Sequence, residues 1–338
     1  MKIALDAMGG DNAPREEVRG AVEACRELGI EVILVGDPAR INEELAELPG
    51  ARALPIEVVA ASERIAMDEH PATAVRRKRQ ASIVVANELV HNGQAAGVVS
   101  AGNTGAAMAA SLMYIGRIGG IDRPAIAIPM PTATGVTVLL DAGANADCTP
   151  ENLVQFGLMG AVYAERVLHL ENPRVALLNI GEEPTKGNAL ALEAHALLAA
   201  SGLNFTGNVE GGDIHTGAAE VIVCDGFVGN VVLKLSEGLA AVLFNQIKTT
   251  VASTAKGRLG GLLLRKSLRA IRGKLDYTEY GGAPLLGVKG MSIIAHGRSN
   301  ARAIRNAIRA ASRGVDEGVV DLIRQAAAGW REREGNKD

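Results

Sequence analysis

The chain predicts an α/β fold built on a largely parallel, mixed sheet, and three observations carry that prediction. Short β-type runs alternate with helical patterns over most of the 338 residues, the order expected of βαβ units. Polar, glycine-rich loops follow the apolar runs, where open α/β sheets bind ligands. Two neighbouring strands are joined by a link too short for a crossover helix, so part of the sheet must be antiparallel.

The first strand, Lys2–Leu5, runs into Asp6-Ala-Met-Gly-Gly-Asp-Asn-Ala-Pro14 and then a helix over Arg15–Leu28. Strands follow at Val32–Val35, Ile56–Val59 and Gly97–Ser100, with helices at Ala72–His91 and Asn103–Ile115. Ala125–Pro129 and Val136–Leu140 flank Pro-Thr-Ala-Thr-Gly and form the expected hairpin. A helix over Glu151–Leu170, a strand over Val175–Ile180, a helix over Lys186–Ala200 and a strand over Val221–Cys224 complete the alternation. Beyond Asp225-Gly226 the pattern changes. Residues 227–275 are mostly helical, Tyr280–Lys289 and Met291–Ala295 are strand-like, and an Ala- and Arg-rich helix begins near Ser299. Residues 1–338 read as one unit with length enough for two lobes, carrying a basic helical hairpin over 236–275.

Composition excludes several function classes. The formal net charge is −3, so no global basic field exists and any anion site is local. Aromatics are only 3%, too few for a base-stacking surface, and no nucleic-acid partner is expected. Cys25, Cys148 and Cys224 are odd in number and far apart, which fits neither a disulfide framework nor a zinc spacing and favours a reducing cytoplasm. The start carries one lysine before Asp6 and does not read as a signal peptide. No apolar run is expected to reach the roughly 20 residues that span a bilayer.

Six loops are candidates for chemistry: Asp6–Pro14, Ser100–Gly105, Asp141–Asn145, Asn179–Gly187, Asp225–Asn230 and His296–Ser299. Ser-Ala-Gly-Asn-Thr-Gly has the best pattern for an anion cradle, since Asn103 or Thr104 opens a helix whose amides face a phosphate. A plain helix cap satisfies the same pattern. Lys186 is expected at a helix start, where an ammonium opposes the dipole and is better explained by a bound anion than by mere exposure. His296 either binds phosphate, donates a proton or is structural. No Gly-x-Gly-x-x-Gly, Walker loop or nucleophile elbow is present, Cys148 has no histidine partner nearby, and no cluster has metal spacing.

In order, Asp-Ala-Met-Gly-Gly-Asp, Ser-Ala-Gly-Asn-Thr-Gly, Asp-Ala-Gly-Ala-Asn, Asn-Ile-Gly-Glu-Glu-x-x-Lys-Gly, Asp-Gly-Phe-Val-Gly-Asn and Tyr280-Gly-Gly-Ala-Pro-Leu-Leu-Gly287 resemble the loops of bacterial phosphate acyltransferases, from residue 1 to about 310. The resemblance implies transfer of an acyl group from acyl-carrier-protein thioester to inorganic phosphate for phospholipid synthesis. It also implies a homodimer and a three-layer fold akin to phosphotransacetylases and isocitrate- or isopropylmalate-type dehydrogenases, with no cofactor or metal. A downstream membrane-bound glycerol-3-phosphate acyltransferase would use the product. Phosphate brings its own nucleophile and a thiolate leaves readily, so positioning and electrostatics are what such a site must supply. On this reading Gly9, Gly10, Asp11, Asn12, Ser100, Asn103 and Thr104 bind phosphate. Lys186 and His296 neutralise charge, while Asp225 and Asn230 order the pocket or meet the donor's thiol end.

From Gly238 to Leu275 there is no acidic residue, and Leu262, Leu263 and Leu264 sit between basic flanks that include Arg258, Arg265, Lys266 and Arg269. This stretch is either a solvated hairpin that pairs subunits or a contact for acidic carrier protein or anionic lipid, which would place a cytoplasmic protein reversibly on membranes. Arg298, Arg302, Arg305 and Arg309 share a helix face and read either as a docking stripe or as internal ion pairs. The rival readings are a phosphotransacetylase acting on acyl-coenzyme A, a dehydrogenase of the same fold, and a non-catalytic scaffold for lipid enzymes.

Overall fold

The computed structural model describes the backbone of residues 1–275 and 281–335. Strand β1 (Lys2–Asp6) leads to helix α1 (Arg15–Leu28), β2 (Glu31–Gly36), α2 (Pro38–Ala46) and β3 (Ile56–Ala60). Next come α3 (Pro71–Arg77), α4 (Ser82–His91), β4 (Gly97–Ser100) and α5 (Thr104–Ala110). The middle of the chain holds β5 (Ala125–Ile126), β6 (Ile128–Pro131), β7 (Val136–Leu140), α6 (Pro150–Val167), β8 (Val175–Leu178), α7 (Ala189–Ala200), β9 (Phe205–Val209) and β10 (Val221–Val223). Helices α8 (Gly226–Ala252) and α9 (Ala255–Leu275), strands β11 (Ala283–Leu286) and β12 (Met291–Ile294), and helices α10 (Ala301–Asp316) and α11 (Val319–Gly335) complete it.

The α/β class is as the sequence predicts, but the strands form two mixed sheets. One has the order β3-β2-β1-β4-β12-β11-β5 and the other β6-β7-β10-β8-β9. In the first, β1, β2, β3, β4 and β12 are parallel. In the second, β7, β10, β8 and β9 are parallel. The hairpin expected from the short link is present, with β6 antiparallel to β7. The single strand expected over Ala125–Pro129 is divided, because the chain passes there from one sheet to the other. One apolar core joins both sheets, with Leu5, Leu34 and Ile293 from the first and Val138, Leu177 and Val221 from the second packing with Phe156 and Met159 of α6. Each such buried side chain contributes about 1.5–3 kcal/mol relative to exposure.

Three boundaries differ from expectation in ways that matter for the site. The helix expected over Ala72–His91 breaks into α3 and α4, because Glu63 pairs with Ala81 and its carbonyl takes the Ser82 amide at 3.1 Å. The helix expected from Lys186 starts at Ala189, capped by the Asn188 side chain on Ala191 N at 2.9 Å. The hairpin expected over 236–275 starts at Gly226, since Asp225 caps α8 through Val228 N at 2.8 Å. Helix α2 and strand β9 were not expected at all.

Helix α8 also corrects the expectation about apolar runs. By length and composition it is apolar enough to cross a bilayer, with only 11% of its apolar window buried. Its first turns are nonetheless built into the protein, with Gly226 and Gly229 buried. Its remaining face exposes Val231, Leu235, Leu239, Val242 and Leu243. Helix α9 folds back so closely that a Cβ on Gly261 would meet Val251 Cγ1 at 2.7 Å, and it exposes Leu259, Leu262, Leu263 and Leu264. Arg258, Arg265 and Lys266 flank these leucines, and Gly260 and Gly261 lie between them. The side chain of Arg269, like Tyr280 of the glycine-rich motif, lies outside the described residues.

Candidate active site

The carboxyl ends of β1, β4 and β12 bring three of the six loops together. Asp6, at the end of β1, is 2% exposed. It accepts the Ser100 hydroxyl at 2.7 Å from the end of β4, the Met8 amide at 3.2 Å, and the Ser82 hydroxyl. Burial pushes its carboxyl above the usual carboxylate range, against these three donors. Ser100 Oγ in turn accepts Gly102 N at 3.1 Å. A Cβ on Gly9 would lie 2.6 Å from Asp6 Oδ2 and 2.8 Å from Gly102 N, so only glycine allows the two loops to meet. The third loop joins through Asp11 N, which donates to Gly297 O at 2.8 Å.

Asn103 closes this cluster from above. Its Oδ1 accepts Ala106 N at 3.0 Å, and its Nδ2 reaches the carbonyls of Ala66, Met67 and Glu69 at 3.3, 3.1 and 3.2 Å. The side chain is therefore consumed by the fold, and the capping reading of Asn103 prevails. The Gly10 backbone lies against the buried Glu17 carboxyl and acts to hold its titration down. Desolvation pushes Glu17 up to about 8, aided by the nearby charges of Asp6 and Glu16. Its Oε2 has no hydrogen-bond partner. The amides of Gly9, Thr104 and Gly105 have no acceptor among the described residues. Asp6, Met8, Gly9, Ile65, Ser82, Ser100, Gly102 and Asn103 line a small polar cavity there.

Thr104, Asp11, Asn12 and His296 are exposed around that cluster. His296 Nδ1 accepts the Arg298 amide at 3.1 Å, which leaves Nε2 as the nitrogen free to meet a ligand. Within the arginine stripe Arg305 follows the ion-pair reading, pairing with Glu27 of α1, and Arg302 and Arg309 also interact within the chain.

The second sheet gathers the other loops. Asp141, fully buried at the end of β7, accepts Ile126 N at 3.0 Å, Gly143 N at 3.2 Å, Ala144 N at 3.0 Å, Asn145 N at 2.6 Å and Asn145 Nδ2 at 2.8 Å. Burial raises its carboxyl and these donors oppose the shift. Gly226 approaches it so closely that a Cβ would sit 2.6 Å from Asp141 Oδ2. Asp225 spends Oδ1 on the helix cap, while Asn230 is exposed beside Gly143. Cys148, whose thiol burial pushes up to about 11, donates to Asn145 O.

Lys186 lies exposed in the loop after β8, ahead of the cap of α7 rather than at a helix start, so the dipole argument for a bound anion no longer applies. Among the described residues its ammonium has no ion pair. The loop's backbone is fixed by Asn179 and Asn208. Ser82, Glu17, Asn208 and His195 were not singled out from sequence, since each sits inside an ordinary helical or strand pattern.

Two helix-flanked mixed sheets with polar loops at their carboxyl ends define an α/β architecture of the kind that binds ligands at its strand ends. Over 94% of both chains the structure superimposes on a crystal structure of a phosphotransacetylase from Streptococcus pyogenes, with a TM-score of 0.65 at 18% identity, which speaks for the fold alone. The chain belongs to the family described as fatty acid synthesis protein, whose model matches residues 1–322, and it is an acyltransferase. It is 56% identical over 97% of its length to a phosphate acyltransferase of Heliobacterium modesticaldum, covering 98% of that protein. It is 55% identical over 98% of its length to one from Moorella thermoacetica, again covering 98% of that protein.

Proposed function

We propose that the protein transfers a fatty acyl group from an acyl-[acyl-carrier-protein] thioester to inorganic phosphate, giving acyl phosphate and the free carrier thiol. The observation that carries this reading is the 56% identity to a phosphate acyltransferase along nearly the whole chain. A phosphate oxygen attacks the thioester carbonyl, the carbonyl oxygen takes up the charge, and the C–S bond breaks to release a thiolate with a pKa near 8.5, roughly that of a free thiol. Such a reaction needs an anion site and charge stabilisation more than an activated side-chain nucleophile.

The open amides of Gly9, Thr104 and Gly105, above the Asp6–Ser82–Ser100 cluster, are the phosphate cradle in this reading. Asp11 and Asn12 sit at its rim, and His296 presents Nε2 to it. Gly10 and Asn103 shape the cradle without donating to it. Lys186 supplies positive charge, and Asp225 and Asn230 order the loop that meets the donor's thiol end. The exposed apolar face of α8 supports a homodimer in which a second copy covers it. The leucines and basic flanks of α9 support reversible contact with anionic lipid or with acidic carrier protein. That contact would bring a cytoplasmic enzyme close to a membrane acyltransferase that consumes acyl phosphate.

The test incubates the protein with acyl-carrier-protein thioester, acyl-coenzyme A and phosphate, and traps acyl phosphate with hydroxylamine. Phosphate-dependent acyl hydroxamate from the carrier-protein donor is expected, with kcat/KM lowered about 100-fold by Lys186→Ala. Product from acyl-coenzyme A alone would reassign the donor, and none from either would sink the enzyme reading. For α9, Leu262–Leu264→Ser is expected to abolish co-sedimentation with anionic vesicles.

A further inference from the structure

Lys186 presents a problem that the rest of its loop answers. A lysine side chain loses rotamer entropy when it is held in place. A mobile backbone would add an ordering cost of its own, which a loop fixed in advance avoids. The residues that fix it come from just past the end of β8 and from its parallel neighbour β9. Lys186 N donates to Glu183 O at 3.0 Å, and the same carbonyl accepts Asn208 Nδ2 at 2.9 Å. On the other side, Lys186 O accepts Asn179 Nδ2 at 2.9 Å, while Asn179 Oδ1 takes Ile180 N at 2.8 Å.

Asn179 and Asn208 are locked to the sheet edge themselves. Asn179 N donates to Val209 O at 2.8 Å, and Asn208 pairs with Leu177 in the β8–β9 ladder. Gly187, at φ 103°, lets the chain turn there, and a Cβ on it would lie 2.5 Å from Asn179 Oδ1. The orientation of Asn208 is set in turn by His195 of α7, whose Nδ1 lies 3.0 Å from Asn208 Oδ1. Because Asn208 Nδ2 must face a carbonyl, its Oδ1 faces the ring, so His195 Nδ1 carries the proton. The ring is held edge-on against Phe205, with centroids 5.1 Å apart and planes at 75°. Asn208 is 7% exposed, so the bonds it makes are shielded from competing water.

We propose that Asn208 and Asn179 are positioning residues that clamp the Lys186 backbone from two sides, and that His195 acts through Asn208 to set the clamp. The inference rests on the charge-supplying role proposed above for Lys186. Neither asparagine touches substrate. Their effect on rate passes through the lysine.

A double-mutant cycle tests this, read as acyl phosphate formation from acyl-carrier-protein thioester and phosphate. Asn208→Ala is expected to lower kcat/KM about tenfold in the native chain and to have no further effect in the Lys186→Ala background, since coupled residues are not additive. His195→Phe, which keeps the contact with Phe205, is expected to lower kcat/KM about threefold, and His195→Asn, which restores a donor at the Nδ1 position, to recover it. Should Asn208→Ala fail to fold, Asn179→Ser runs through the same cycle. Equal losses with and without Lys186 overturn the clamp and leave the lysine's role standing. Full activity of Lys186→Ala itself would overturn both.

Discussion

Asp6 and Asp141 are the same device used to different ends. Each is a buried aspartate at the carboxyl end of a parallel strand, each is pushed up by burial, and each is approached closely by a glycine. Asp141 collects five donors, four of them backbone amides, and its loop is closed upon itself. Asp6 collects two hydroxyls and one amide, borders a small cavity, and stands near amides that have no acceptor among the described residues. Two chemically similar carboxyls thus divide into a knot that holds the fold and a floor beneath an open site. What separates them is how completely the surrounding donors are spent.

The comparison breaks most visibly at Asp141. Removing the acceptor strands several buried donors at about 1–3 kcal/mol each, a large share of a stability that is about 5–15 kcal/mol in all. Asp141→Ala is expected to abolish the soluble folded protein, whereas Asp6→Asn should fold and lose activity. Urea unfolding and trapped acyl hydroxamate decide between them, and a stable Asp141→Ala would erase the distinction.

Glu17 sharpens the picture of the Asp6 side. In the folded chain its carboxyl titrates near 8, against an ordinary value of 4.5. The folded state therefore holds a proton that the unfolded chain releases, and stability falls as pH rises from the lower value through the upper one. The slope is about 1.4 kcal/mol per pH unit. Glu17→Gln should remove that slope, so that the variant overtakes the native chain in stability at pH 8–9, about the folded titration point and just above. Parallel pH–stability curves would mean that the carboxyl is not protonated in the fold.

Gly9 comes next. Gly9→Ala forces a Cβ against Asp6 and Gly102 and is expected to lower kcat/KM about 100-fold, at a stability cost of about 1–3 kcal/mol. Normal turnover would move the open site elsewhere. The smallest effect belongs to Asn103, where Asn103→Ala should cost about 1–2 kcal/mol of stability, mainly as a lost cap. A loss of phosphate affinity larger than this accounts for would restore a direct binding role to that side chain.

Much of the fold and all six loops were legible before the structure, because strand–helix alternation and Gly-rich strand ends are local patterns. The β6–β7 hairpin was legible too, since a link that short permits nothing else. The break before Ser82 was not, because it depends on Glu63 pairing with Ala81 in a distant loop. Helix α7 starts three residues later than the sequence pattern suggests for a related reason: Gly187 and Asn179 hold Lys186 in a turn that helix propensity alone does not foresee. The pattern around Asn103 suits a ligand and a cap alike, and its three carbonyl partners decide for the fold. Asn208 and His195 carried no sequence signal, since their roles exist only through partners on other elements.

By itself the sequence determined the α/β class, the family and the list of loops from which a site is assembled. Strand periodicity and glycine placement are written in neighbouring residues, and they survive in any context that folds. Tertiary structure alone decided which amides in those loops remain open. A buried polar group must find a partner, and whether that partner is Glu17, Gly297 or a ligand depends on what the fold brings within about 3 Å.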